Sequence, residues 1–345
     1  MKILYAVQAT GNGHISRAME ILPFLQRYGT VDIFLSGANS TLTLNAPVKF
    51  RSKGLCLFYN NEGGLNYRKT AGHFAPLRIL REARDLPVEK YDLVLNDFES
   101  ITAIACALKK IPSVNFGHQA SFQSDKTPRP KKKDAIGEWI LTHYARASQY
   151  VGLHFESYDD FILPPVIKKE ILRAEPVDKG HITVYLSSFS DQEMIGKFAP
   201  LKDHHFEIFS KEVNQPTQIG NIRLIPVNKE AFNKSLIKCK GIITGAGFET
   251  PAEALYLGKK LMAIPIAGQY EQYCNAAALN KLGVICPRAI DHSFPSLFES
   301  WINKPGRLHL VPDHSTEAII SFLMHNCTDR KKYGLDYLYP EFVIN

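Results

Sequence analysis

Apolar and polar positions divide the chain into short continuous apolar runs separated by longer stretches of helical period. Residues 3–7 form the first run and 31–36 the second. Between them Ile15, Ala18, Met19, Leu22 and Leu25 recur at three- and four-residue spacing. An apolar run without alternation is how a strand buried on both faces reads, and parallel sheets covered by helices are built from such strands. The rhythm continues with strands at 55–59, 91–97, 112–116 and 151–155. Helices fall at 74–86 and 101–108, and around Ile136, Trp139, Ile140 and Tyr144. A polar, glycine-bearing loop fills 60–71.

The pattern breaks between residues 163 and 180, where prolines and charges cluster, the composition of a connection between domains. A second series follows. Strands are expected at 181–186, 205–209, 221–226, 241–244 and 260–265, and helices reach about residue 198, span 231–239 and begin near 250 and 270. The fold class expected is α/β with two Rossmann-like domains facing across a cleft. Residues 1–162 form the first domain, 163–180 the linker and 181–325 the second domain; 326–345 is an aromatic tail that packs back on the body.

One stretch of the second half carries chemistry of its own. Residues 241–244 run into Gly245-Ala246-Gly247, and Thr250-Pro251-Ala252-Glu253 then opens a helix that Gly258 can close. Thr250 suits the N-cap, Pro251 the first helical position and Glu253 a capping box. A strand, a glycine turn and a helix N-terminus together present backbone N–H groups to an anion, most often a phosphate. Ser187 and Ser188, after the strand at 181–186, can meet phosphate in the same way.

Composition narrows this little. The chain has 345 residues, enough for two domains, and a formal charge of +7 that suits an anionic substrate, nucleic acid or a membrane surface alike. Six cysteines stand at scattered positions with no paired spacing, so neither a disulfide framework nor a zinc site is indicated and a reducing cytoplasm is expected. The N-terminal run is too short for a signal-peptide core, and no run approaches the ~18 apolar residues of a membrane span.

Candidate site residues gather at the carboxyl ends of the first-half strands, where ligands of open α/β sheets sit. They are Asn12, His14, Asp97, Glu99, His118 and Gln119. Gly11 and Gly13 begin a glycine fingerprint, but position 16 is Ser and no acid closes the second strand, so a dinucleotide site is not completed.

Three stretches together resemble one superfamily: Gly11-Asn12-Gly13-His14-Ile15-Ser16-Arg17, residues 244–258, and residues 265–276 with Gln269-Tyr270-Glu271-Gln272. They are similar to the GT-B nucleotide-sugar glycosyltransferases of the family 28 type, which includes peptidoglycan lipid-intermediate N-acetylglucosaminyltransferases and diacylglycerol glycosyltransferases. Residues 38–90 match nothing in that pattern. The resemblance implies an acceptor-binding first domain and a UDP-sugar-binding second domain. With a UDP-sugar there, Gly245, Ala246 and Gly247, with Ser187 and Ser188, meet the donor diphosphate, Gly13 and Thr250 are further donor-site residues, and the resemblance places Ile225 and Val227 at the nucleobase and Glu253 at the ribose. Gln269, Glu271 and Gln272 would then grip sugar hydroxyls, and Asn12, His118 and Gln119 the acceptor. Glu249 reads as a solvated surface acid.

The activity so implied is inverting, metal-independent transfer of GlcNAc or a hexose from UDP to a cell-envelope or lipid-linked acceptor. Such transfer needs a base for the acceptor hydroxyl. His14 is the first choice, since an imidazole takes up a proton near neutral pH; Asp97 and Glu99 compete for the role. His14 can instead bond a phosphate or cap its helix, and Asp97 can cap the helix beginning near Ile101, as Ser100 also can. No Asp-x-Asp pair is present, so no metal site and no resident cofactor are called for. A UDP-GlcNAc 2-epimerase-like enzyme and a non-catalytic nucleotide-sugar-binding protein are the alternatives. Five of the eight residues Lys126-Thr127-Pro128-Arg129-Pro130-Lys131-Lys132-Lys133 are basic. They form a solvated loop or dock on an anionic bilayer, which places the protein in the cytoplasm or peripherally on the inner face of the plasma membrane; no nucleic-acid partner is expected.

Overall fold

The computed structural model describes residues 1–9, 12–37, 44, 46–54, 75–305, 308–310 and 315–327. β1 (Lys2–Gln8) leads through α1 (Asn12–Leu25) to β2 (Thr30–Ser36), and the two strands pair in parallel. β3 (Val48–Ser52), β4 (Leu93–Asp97), β5 (Val114–Gly117), β6 (Gln149–Leu153) and β7 (Ile162–Leu163) complete a seven-stranded sheet of order β3-β2-β1-β4-β5-β6-β7. Every neighbouring pair in it is parallel. Ile3, Leu4, Tyr5, Ala6 and Val7 are all buried, which is why β1 reads as an unbroken apolar run: both faces are covered. α2 (Pro76–Asp85), α3 (Ser100–Lys109) and α4 (Ala135–His143) are the other α-helices of this half among the described residues. Strand order turns around between β1 and β4, and the crevice beyond their carboxyl ends is where such a sheet takes a ligand.

The second sheet has the order β10-β11-β9-β8-β12-β13. Its strands are β8 (Ile182–Tyr185), β9 (Phe206–Ser210), β10 (Thr217–Ile219), β11 (Ile222–Pro226), β12 (Gly241–Gly245) and β13 (Lys260–Ile264). All pair in parallel except β10, which runs antiparallel to β11. Its helices are α6 (Asp191–Phe198), α7 (Lys229–Lys238), α8 (Glu249–Tyr256), α9 (Tyr270–Lys281), α10 (Phe294–Asn303) and α11 (Thr316–Cys327). Its turnaround lies between β8 and β12, so the Ser187-Ser188 turn and the Gly245-Ala246-Gly247 turn share one rim.

The chain passes between the sheets after Leu163, which still belongs to the first sheet through pairing of β7 with β6. The passage is not a free linker. It includes α5 (Lys169–Leu172), and its side chains and backbone hold both halves. Lys169 N–H donates to Glu20 Oε2 at 3.0 Å, Glu170 pairs with Lys229 at 3.0 Å, and Lys168 pairs with Glu253 at 3.0 Å.

Two further contacts close the halves on each other. Tyr270 and Cys274 of α9 are buried in one cluster with Phe98, Ala103, Phe122, Leu141 and Ala145 of the first half. α11 returns to pack on α1, with Arg27 and Glu317 paired at 2.6 Å. The expected strand at 55–59, the loop at 60–71 and the tail beyond 327 lie outside the described residues.

Candidate functional site

His14 sits in the first turn of α1, immediately above the end of β1. Its Nδ1 lies 2.8 Å from Oδ1 of Asp97, the last residue of β4. The carboxylate only accepts and is the nearer partner, ahead of Arg17 Nη2 at 3.0 Å, so it favours the proton on Nδ1 and the lone pair on Nε2. Among the described residues Nε2 has no protein partner. Asp97 is fully buried, which by itself pushes its carboxyl up, but the adjacent Arg17 guanidinium and His14 hold it below the usual carboxylate range. Arg17 clamps the same carboxylate with both arms, Nε to Oδ2 at 3.2 Å and Nη2 to Oδ1 at 2.7 Å. Its remaining nitrogen, Nη1, donates to Glu249 Oε1 from the other half of the molecule.

The turn after Asp97 explains the neighbouring acid. Phe98 adopts φ +54°, a left-handed conformation costly for a bulky residue. Asn96 holds it there, accepting from Glu99 N–H at 2.6 Å and donating to Glu99 O at 2.7 Å. The Glu99 carboxylate then accepts from Ile101 N–H at 2.8 Å and Thr102 N–H at 2.6 Å, capping α3. Glu99, expected as a competing base, is therefore corrected to the N-cap, a role expected of Asp97 or Ser100. Burial pushes its carboxyl up, opposed by those N–H groups.

The glycine turn of the second half also differs from the expectation. α8 begins at Glu249, with Phe248 at the N-cap and no side-chain cap, so Thr250 and Pro251 lie inside the first turn. Glu253 does not form the capping box. It is buried, with Lys168 as its partner, and burial pushes its carboxyl up against the pull of that lysine. The cause of the early start is Phe248, whose ring lies flat on His118 at 4.0 Å and 6°. Gly258 does close α8, with φ +61° and Lys259 N–H returning to Ala254 O at 2.9 Å. Glu249 is no solvated acid. It reaches across to Arg17, and a Cβ on Gly13 would stand 2.6 Å from its Oε2. Gly13, read from the sequence as a donor residue, thus makes room for Glu249.

Glu271 opens α9 and is half-buried, accepting from Gln119 Nε2 at 3.1 Å with Oε1 3.8 Å from His118 Nε2. His118 is buried between Leu153 O (3.0 Å) and Asn275 Oδ1 (2.8 Å), and Asn275 donates on to Ala246 O at 3.1 Å. The acceptor-side pair His118 and Gln119 and the donor-side Glu271 are therefore brought together, although His118 itself is packed away. Gln272 and Gln269 are spent on the loop they border. Gln272 Oε1 accepts from Ile266 N–H at 3.0 Å and its Nε2 donates to Gln269 Oε1 at 2.8 Å. Of the three expected sugar-gripping side chains, Glu271 alone faces the other half.

Asn12 begins α1, while Gly11 is outside the described residues. Ser187 and Ser188 form the turn after β8; Ile225 is buried in β11, and Val227 N–H follows it, donating to Ser210 O at 3.0 Å. In the basic loop Arg129 is not a surface cation. It donates to Glu138, Thr127 O and Phe122 O, and lies 4.8 Å over the Phe122 ring. Lys126 pairs with Asp159 at 3.0 Å. Lys131, Lys132 and Lys133 remain exposed, beside Ile136 (50% exposed) and Trp139 (59% exposed).

Arg17, Glu249, Phe248, Asn275 and Tyr270 were not picked out as site residues from the sequence. Arg17 alone left a local signal, three residues after His14 and so on the same helix face.

A family model described as Glycosyl transferase family 1 matches residues 1–298. No curated protein matches the chain. Solved structures of similar fold include SnogD, a glycosyltransferase from Streptomyces nogalater (16% identity, 93% of each chain covered, TM-score 0.53). Arabidopsis thaliana UGT89C1 complexed with UDP-L-rhamnose is another (13% identity, 94% of this chain and 93% of that one, TM-score 0.55). A third is the Streptomyces sp. SF2575 glycosyltransferase SsfS6 complexed with thymidine diphosphate (13% identity, 94% of this chain and 99% of that one, TM-score 0.53). The two sheets, their order and their mutual contact are those of a GT-B fold.

Proposed function

The chain belongs to glycosyl transferase family 1, and from that premise we propose that it transfers a sugar from a uridine diphosphate donor with inversion, His14 serving as the base. The observation that carries this reading is the His14–Asp97 pair at 2.8 Å, set at the turnaround of the first sheet and abutting the donor-side turn through Gly13 and Glu249. In the proposed step the acceptor hydroxyl gives its proton to Nε2 of His14 as its oxygen bonds to the anomeric carbon. The bond from that carbon to the diphosphate oxygen breaks, and the nucleoside diphosphate leaves with the electron pair. Asp97 keeps the imidazole in the required tautomer and balances the imidazolium.

The backbone N–H groups of the Gly245–Phe248 turn and the start of α8 are assigned to the departing diphosphate, with no metal required. Thr250, Ser187 and Ser188 border that position, and Ile225 with Val227 borders the base. Glu271 is assigned to the sugar hydroxyls and Gln119 to the acceptor. A lipid-linked or cell-envelope acceptor fits Lys131–Lys133 with Ile136 and Trp139, which together offer cations and apolar side chains to an anionic bilayer.

A donor screen tests this reading. UDP-GlcNAc, UDP-glucose, UDP-galactose and UDP-glucuronate, with and without EDTA, are scored by thermal shift and UDP release. A uridine-specific shift with EDTA-resistant release is expected. No shift with any uridine nucleotide overturns the donor assignment, and release abolished by EDTA overturns the metal-free mechanism.

A further inference from the structure

We propose that Arg17 is the positioning residue of the base, holding Asp97 against His14 and joining that pair through Glu249 to the donor-side helix. The inference rests on the transferase reading and adds to it how the two halves act on one proton.

Every guanidinium nitrogen of Arg17 is committed. Two nitrogens grip the two oxygens of Asp97, at 3.2 and 2.7 Å, and the third meets Glu249. The Oδ1 atom that takes Nη2 is the one that takes His14 Nδ1. A bidentate fork fixes the plane of a carboxylate, and that plane fixes the imidazole bonded to it. Glu249 comes from the opposite sheet, so the chain of contacts runs α8, Glu249, Arg17, Asp97, His14, across the boundary between the halves.

Two glycines make the space. A Cβ on Gly13 would lie 2.6 Å from Glu249 Oε2. One on Gly117, whose φ is +152°, would lie 2.8 Å from Asp97 Oδ1 and 3.1 Å from Arg17 Nη2. These are contacts that no side chain could share without displacing the ion pairs.

Charge supports the same assignment. Two carboxylates and one guanidinium leave a single net negative charge beside a neutral imidazole. The positive charge His14 gains as base is matched by that net negative charge. Asp97 and Glu249 keep the Arg17 guanidinium charged despite its burial. Arg17 also masks the one carboxylate in the first turn of α8, the end assigned to the diphosphate.

The test compares wild type, Glu249→Gln, Asp97→Asn, the double variant, Arg17→Lys and Arg17→Gln, measuring kcat, donor KM and UDP affinity by calorimetry. Glu249 is partly exposed, so its substitution leaves the buried Arg17–Asp97 pair in place and the fold intact. Misalignment on the ångström scale costs up to about 100-fold; Glu249→Gln is expected to lower kcat about tenfold without weakening UDP binding. Arg17 Nη2 also lies 3.0 Å from His14 Nδ1, but the fork is on Asp97, so in the Asp97→Asn background Glu249→Gln is expected to cost nothing further. Arg17→Lys, which lacks the fork, is expected to lose kcat as Arg17→Gln does.

Unchanged kcat in Glu249→Gln, losses that multiply in the double variant, or full rescue by lysine each overturn the proposal. An inactive wild type that binds no uridine nucleotide overturns the transferase reading instead, so the two failures are distinguishable.

Discussion

The rings of His118 and Phe248 lie parallel, 4.0 Å apart, one from each half of the molecule. His154 stands behind them, 5.0 Å from His118, buried among Phe122, Phe155, Tyr158 and Phe248. Its Nδ1 accepts from Phe155 N–H at 2.9 Å, which leaves the proton on Nε2. The boundary between the halves therefore contains a histidine with no room for a second proton.

Stability is expected to fall on mild acidification for that reason. Burial, then the nearby His118 and Arg129, hold His154 well below the ordinary histidine value. As pH drops below about 6.5 the unfolded chain takes up a proton that the folded chain refuses, so stability rises with pH across this window and is lost below it. The limiting slope is about 1.4 kcal/mol per pH unit for one such group. Urea unfolding at pH 7.5 and pH 5 measures it. His154→Gln should show a shallower fall, and identical slopes in the two proteins would remove His154 as the cause.

Glu99 and His14 separate capping from chemistry. His14→Ala is expected to reduce kcat by about 10²–10⁴, the usual worth of a general base. Glu99→Ala should leave kcat near wild type but cost about 0.5–2 kcal/mol of stability through the lost N-cap of α3. Steady-state kinetics with parallel denaturation decides the matter. A Glu99→Ala enzyme as inactive as His14→Ala would return Glu99 to the reaction.

Gly137 is where α4 meets α9. A Cβ there would lie 2.4 Å from Tyr270 Cβ and 2.6 Å from its Cγ. Tyr270 is held in turn by its hydroxyl, which donates to Glu138 at 2.8 Å. Gly137→Ala is expected to destabilise by about 1–3 kcal/mol, the range for overpacking a tight contact. Adding Tyr270→Gly, which removes the Cβ as well as the ring, should recover part of that loss. Thermal unfolding of the two singles and the double reads it; strictly additive losses would show that the two residues do not press on each other.

Flotation with phosphatidylglycerol liposomes tests the surface beside α4. Lys131, Lys132 and Lys133 are expected to contribute about 1 kcal/mol each at low salt. Their replacement by glutamine should abolish binding, and Trp139→Ser should reduce it at every salt concentration. Equal recovery of wild type and the triple variant would exclude the lysines.

The sheets were legible in the sequence because their strands are buried on both faces and so read as unbroken apolar runs, as β1 and β12 do. β10 was not, since all three of its residues are exposed and a lone Ile219 makes no apolar run. The start of α8 was misread for a tertiary reason. Local chemistry favours Thr250 as the cap, but Phe248 is pinned by stacking on His118 and the helix begins directly after it, at Glu249. Glu253 looked like a capping acid because Lys168, its partner, lies 85 residues away in sequence. His14 and Asp97 could each be named from the ends of strands. That they form one unit, with Arg17 beneath them, depends on the β1–β4 adjacency, and spacing along the chain does not encode it.

The docking of α11 on α1 sets an order of events during synthesis. α1 precedes its covering helix by the entire second sheet and so leaves the ribosome well before it. A nascent first half therefore carries a helix surface that α11 cannot cover until translation passes residue 327. That half meets the aggregation hazard of an unfinished domain throughout the synthesis of the second.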